Sequence, residues 1–164
     1  MKSLIIYYSR ADENYSVGYI DKGNTEVIAE YIQELTGADM FKVEPEIPYA
    51  KDYNTCIEEA KERTRSHNAP IIGNVPNLSD YEIIYIGTPV YWGGMPEEMF
   101  TALKDLNFAG KIIKPFVTHE GSGLSSIPSQ LKKLCKGSIV KEGIAIQGSR
   151  VKESKERIEN WRNN

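Results

Sequence analysis

Residues 4–8, Leu-Ile-Ile-Tyr-Tyr, form an unbroken apolar run close to the start of the chain. A run this short is a strand buried on both faces, because a membrane span needs about 20 apolar residues. No small-residue cleavage site follows it, so a cytoplasmic location without membrane association is expected. A strand covered on both sides demands helices above and below it. The rest of the chain supplies them by alternation. Residues 24–36 place Val27, Ile28, Tyr31, Ile32 and Leu35 on one helical stripe, and Gly37 stands where a helix should end. A second strand is expected over 39–43, followed by a connection marked by Pro45 and Pro48. Asp52 can cap a helix running to about residue 66, with Tyr53, Cys56, Ile57 and Ala60 facing inward. Residues 68–80 read as a loop.

The alternation continues with a third strand over 81–87 and a helix that Pro96 opens and that runs to residue 106. A fourth strand is expected over 111–118, a helix over 127–135, a fifth strand over 138–146 and a last helix over 151–161. Pro115 falls inside the fourth strand, where it removes a ladder donor and predicts an irregularity. Strands strictly alternating with helices predict an α/β fold, a doubly wound parallel sheet with helices on both faces, in a single domain over 1–164.

Charge and cysteine usage narrow the function. A net charge of −3 without a basic face argues against a nucleic-acid partner. Two cysteines, Cys56 and Cys135, and two histidines at no ligand spacing predict free thiols and no metal site.

In an open parallel sheet, ligands bind beyond the carboxyl ends of the strands near the point where strand order reverses. Three loops should converge there. After the first strand come Ser9 and Arg10 and then, past residues 11–22, Gly23-Asn24-Thr25 at a helix start. A glycine before a helix lets backbone N–H groups approach an anion, and Asn24, Thr25 and Ser9 add side-chain donors. Alone, the motif is equally a turn and an N-cap. After the third strand comes Thr88-Pro89-Val90-Tyr91-Trp92-Gly93-Gly94. Two adjacent aromatics on a loop are costly to expose, and either a flat ligand or a protein contact would cover them. After the fourth strand, His119-Glu120-Gly121-Ser122-Gly123 brings backbone close to a ring edge, or is a plain flexible loop. Together the loops suit a molecule with a terminal phosphate and a planar heteroaromatic head. No Walker loop and no Gly-x-Gly-x-x-Gly after the first strand is present, which disfavours ATP and Rossmann-type NAD. Ser9-Arg10 and Thr88 also stand where a phospho-acceptor receiver would need acidic groups.

The whole chain resembles the flavodoxin-like FMN proteins, of the short-chain type. Ser9, Gly23, Asn24 and Thr25 match the family's phosphate motif Ser/Thr-x-Thr-Gly-Asn-Thr, interrupted here by residues 11–22, which carry Tyr15 and Tyr19. Thr88 to Gly94 and the stretch from Phe116 to Gly123 are similar to its two ring-binding loops. The resemblance implies strand order 2-1-3-4-5, with FMN held non-covalently. It implies phosphate at Ser9, Asn24 and Thr25 with the backbone near Gly23, the ring at Thr88, Pro89, Val90, Tyr91, Trp92, Gly93, Glu120, Gly121, Ser122 and Gly123, and Arg10 as a further cofactor-binding residue. It further implies electron transfer to a redox partner protein or small-molecule acceptor. The alternative is an NAD(P)H-dependent FMN reductase of quinones or nitro compounds. No catalytic side chain is assigned.

Overall fold

The computed structural model of the protein describes residues 2–14 and 17–164. Its main sheet contains β1 (Ser3–Tyr7), β4 (Asp39–Lys42), β5 (Ile83–Pro89), β6 (Ile112–His119), β7 (Ile139–Val140) and β8 (Ile144–Gln147). The first four run in the spatial order β4-β1-β5-β6, all parallel. The sheet therefore reverses direction of growth at β1 and β5, as the expected order requires. At the far edge the expectation of one fifth strand fails, and the sheet has six strands rather than five. β7 pairs with Ile112 and Ile113, and β8 with the stretch from Phe116 to His119, both on the same side of β6.

Pro115 explains the split. The strand that contains it is unbroken, with Pro115 opposite Ile86 of β5. On the outer side, Lys141 N–H donates to Ile113 O at 2.8 Å. Backbone groups two residues apart face the same edge, so Pro115 presents a carbonyl there and no N–H. Residues 141–143 leave the ladder opposite this gap. A side chain at Gly143 would begin 3.2 Å from Pro115 O, so the chain passes close without pairing. The irregularity expected in the fourth strand is thus borne by its neighbour.

Alternate residues of each strand feed opposite faces. Leu4, Ile6, Ile84, Ile86, Ile113 and Val117 build one core with Met99, Leu103 and Leu131, from α3 (Glu97–Leu103) and α4 (Ile127–Leu134). Ile5, Tyr7, Tyr85 and Phe116 build the other with Ile28 and Ile32 of α1 (Asn24–Thr36) and Ile158 of α5 (Lys155–Arg162). Gly87 is the exception in β5, and Phe116 opposite it fills the space, with Cζ 2.0 Å from where a Gly87 Cβ would stand.

Several boundaries differ from expectation. The helix opened by Pro96 stops at Leu103, and the last helix begins at Lys155 after a 3-10 stretch over Gly148–Glu153. Asp52 caps α2 (Tyr53–Ser66) as expected, accepting from Thr55 N–H at 2.9 Å, and Gly37 ends α1 at φ 71°. Both cysteines are free and buried. Residues 11–22 carry an antiparallel hairpin, β2 (Asp12–Asn14) and β3 (Gly18–Ile20), with Tyr19 exposed; Tyr15 lies outside the described residues.

Candidate functional site

The carboxyl ends of β1, β5 and β6 open into a cleft of about 340 Å³. Arg10, Asn24 and Thr25 line it from the first loop, Pro89, Val90, Tyr91 and Trp92 from the second, and Thr118, His119, Glu120 and Ser122 from the third. The three loops read from the sequence thus share one cavity. Ser9, Gly23, Thr88, Gly93, Gly121 and Gly123 are not among the residues that line it.

The α1 end of the cleft is built on close approach. Gly23 has an ordinary φ of −61°, so it is not there for left-handed backbone. A Cβ at that position would lie 2.1 Å from Ser9 Oγ and 2.8 Å from both N and C of Arg10. Glycine lets the helix start pack directly on the strand end. Ser9 Oγ then accepts from Glu26 N–H at 2.9 Å, capping α1 from outside its own segment. Val27 N–H donates to Gly23 O. The N–H groups of Asn24 and Thr25 have no protein acceptor among the described residues, and they stand at the positive end of the α1 dipole. Thr25 and Thr118 share a buried hydroxyl contact of 2.7 Å, which ties α1 to β6.

Arg10 does not turn its whole guanidinium to this end. Nη2 donates to Ala50 O and Lys51 O, each at 2.8 Å, and so pins the segment before α2. Thr88 is fully buried and its hydroxyl donates to Pro89 O at 2.8 Å.

The two aromatics of the second loop have separate roles. Tyr91 packs edge-on against Tyr8 and Tyr49, with ring centroids 5.7 Å and 5.9 Å away. Its hydroxyl is buried without a hydrogen-bond partner, and burial holds its pKa well above the ordinary phenol value. Trp92, at φ 52°, is 54% exposed, and Lys61 Nζ lies over its ring 5.3 Å from the centroid. Its indole N–H donates to Ile57 O at 2.7 Å, fixing the ring against α2.

In the third loop, Gly121 N–H donates to His119 Nδ1 at 2.9 Å. That bond requires the neutral ring, and burial lowers the His119 pKa below the usual value. An unfolded histidine titrates near pH 6.5. As pH falls through 6.5 toward the lower folded value, the unfolded chain takes up a proton that the native state resists, so stability is lost across that window and is unaffected above it. The expected result is a His119 ring titration by NMR with a midpoint below 6.5, with the Gly121 amide shifting along the same curve.

Several lining residues escaped sequence reading. Tyr53, Cys56, Ile57 and Ala60 of α2 were expected to face inward; Cys56 and Ala60 are buried as expected, and the stripe also forms a cleft wall. Asn14 enters from the hairpin. Gly148 was also missed, although it directly follows β8 at the same carboxyl edge. A side chain there would begin 2.2 Å from Glu120 Oε1 and 2.4 Å from Asn24 Nδ2. Among the described residues, no group of three His, Cys, Asp or Glu side chains is placed to hold a metal ion, and no helix is long and apolar enough to cross a membrane.

The sequence profile of the family described as Flavodoxin matches residues 15–164. This chain belongs to the flavodoxin family. Among solved structures, a protein from Bacteroides uniformis provisionally described as a flavoprotein is 21% identical, with 99% of this chain and 98% of that one covered and a TM-score of 0.78. A similarly described protein from Bacteroides eggerthii is 23% identical over 96% and 97% of the two chains, with a TM-score of 0.72. A flavoprotein from Lactobacillus acidophilus, solved in complex with FMN, is 23% identical over 93% and 97%, with a TM-score of 0.66. At these identities the likeness shows the fold. No curated protein matches the chain. Within this flavodoxin, the interrupted phosphate motif is the main departure from the family pattern. The break at residues 141–143 is too short to hold a separate loop element.

Proposed function

We propose that this flavodoxin binds FMN non-covalently in the cleft and serves as an electron-transfer protein between redox partners. One observation carries the reading: an unsatisfied helix start, a partly exposed tryptophan and a glycine-rich loop border a single cavity. The residues fit the group. Asn24 and Thr25 offer backbone donors for a phosphate, with Gly23 and Ser9 holding the helix start in place. Val90 and Trp92 offer an apolar platform for a flat ring, and Tyr91 Oη and Glu120 Oε1 are buried polar atoms that lack partners in the protein alone. The chemistry FMN supplies when bound is reversible uptake of one or two electrons. The protein's part is to bind, orient and exclude water. Val90, Ile57, Ala60 and Trp92 lower the local dielectric, which disfavours negative charge on whatever they enclose.

The apolar α2 wall supports a second reading, in which the same cleft admits a nicotinamide or a quinone beside the flavin and the protein acts as a reductase. The absorbance spectrum of the purified protein, followed by dithionite and NADPH additions, separates these. A yellow protein reduced by dithionite in two one-electron stages, and slowly or not at all by NADPH, supports the carrier. Rapid bleaching by NADPH with turnover on a quinone supports the reductase. A colourless protein that takes up no FMN contradicts both.

A further inference from the structure

Lys114 is the only buried lysine or arginine among the described residues, at 9% exposure, and it does not line the cleft. It stands opposite Tyr85, on the face of the sheet that α5 covers. Its Nζ donates to Arg162 O at 2.7 Å, at the end of that helix. The same helix end is tied down twice more. Trp161 packs edge-on against Tyr85 with ring centroids 6.0 Å apart, and its indole N–H donates to Glu142 O at 2.9 Å. Arg162 is thereby held beside Lys114 and the break at residues 141–143, with its Nε buried and without an acceptor. Lys141 adds a third cation, since its backbone N–H is bonded to Ile113, next to Lys114. Burial, followed by the charges of Lys141 and Arg162, holds the Lys114 pKa below its usual value.

Cations at close range repel, and burial takes water from the Lys114 side chain and from Arg162 Nε. No carboxylate compensates. Lys114, Lys141 and Arg162 form no ion pair among the described residues. Residues 121–141 contain no Asp or Glu, and Glu142, the next acidic residue, is exposed and pairs with none of them. The negative end of the α5 dipole supplies about −0.5 of a charge against these cations. Through Arg162 O it engages one N–H of the ammonium, which has further donors to give beside the unfilled Arg162 Nε–H. A singly charged carboxylate would leave the cluster well positive, whereas a dianion would nearly neutralise it. We propose that Lys114, Lys141 and Arg162 form a binding site for a phosphate group, separate from the cleft and independent of the FMN reading. Lys114 Nζ and Arg162 Nε donate to the phosphate oxygens, and Lys141 supplies charge from the solvent side. The bound anion fastens the end of α5 to β6.

The test titrates the purified protein with inorganic phosphate at constant ionic strength and about pH 7.5, where phosphate is mostly a dianion. The Arg162 Nε–H and Asn24 amide resonances are followed in the same NMR spectra, so that phosphate entering the cleft is seen separately. Arg162 should shift along its own saturating curve with a Kd of about 1 mM or tighter. Lys141→Gln, an exposed change, should weaken this binding about tenfold, as expected for loss of a charged partner. Lys114→Met should abolish it, with folding checked by circular dichroism; if that variant does not fold, Lys141→Gln decides. Methyl phosphate distinguishes the sources. Binding as tight as that of inorganic phosphate assigns the site to a phosphorylated small molecule, and weaker binding assigns it to the free ion; both support the site. An Arg162 resonance that does not move, that moves equally with acetate, or whose curve is unchanged in Lys141→Gln overturns it.

Discussion

Replacing Gly23 with alanine is expected to weaken FMN binding at least about 100-fold and to destabilise the fold by about 1–3 kcal/mol. Backbone preference does not cause this, because alanine adopts φ −61° readily. Space causes it. The new Cβ would meet Ser9 Oγ at 2.1 Å and two backbone atoms of Arg10 at 2.8 Å. The serine hydroxyl can rotate away, at the cost of its cap on Glu26 N–H. The Arg10 backbone is less free, since it closely follows β1 and its guanidinium is bonded to Ala50 O and Lys51 O. The start of α1 must retreat, and the Asn24 and Thr25 amides move with it. Losing two charge-assisted hydrogen bonds worth about 1.5 kcal/mol or more each corresponds to the stated factor. Isothermal titration with FMN, beside thermal melts without it, separates the two effects. A Ser9→Ala variant should lose only about 1 kcal/mol of cap energy and keep most of the affinity.

The second large effect lies behind the cleft. Glu98 is fully buried on α3, where Tyr49 Oη donates to Oε1 at 2.7 Å and Arg63 Nη1 donates to Oε2 at 2.8 Å. The Arg63 guanidinium also lies 3.8 Å from the Tyr49 ring centroid. Burial, followed by the Glu98 charge, pushes the Tyr49 pKa above its ordinary value, so the phenol remains a donor. Arg63→Met is expected to cost about 3–5 kcal/mol, because it strands a buried carboxylate. For a chain of this size that is a fall in Tm of roughly 10 °C. Arg63→Met with Glu98→Leu should be less damaging than Arg63→Met alone, since the pair is removed together. Thermal denaturation of the four proteins of the cycle checks the sign. A double variant that loses the sum of the singles contradicts the account. This network docks α2 against α3, and α2 supplies the cleft wall, so the single variant should also loosen FMN binding.

Most of the layout was legible in the sequence because it rests on periodicity. The apolar run at residues 4–8 marks a strand buried on both faces, and the alternation after it leaves little besides a doubly wound sheet. The three loops were legible because topology places them at one edge, and Gly23, Trp92 and Glu120 lie there. What was not legible depends on pairing between distant segments. Pro115 signalled trouble in the fourth strand, but its missing N–H faces the neighbour, so the break appears at residues 141–143. The hairpin in residues 11–22 has no alternating apolar pattern to announce it. The stripe of Tyr53, Cys56, Ile57 and Ala60 has helical spacing toward something apolar, and spacing alone does not distinguish a core from a cleft. Gly148 would have been found by applying the carboxyl-edge rule to the last strand as well.

The central claim is that one mononucleotide bridges the start of α1 and the two loops across from it. Titrating isotope-labelled protein with FMN while following amide and indole N–H resonances tests this directly. The account predicts that Asn24, Thr25, the Trp92 indole, Gly121 and Gly123 all shift along one saturation curve with a single Kd. Shifts confined to one loop, or separate curves for the helix start and the tryptophan, would contradict it.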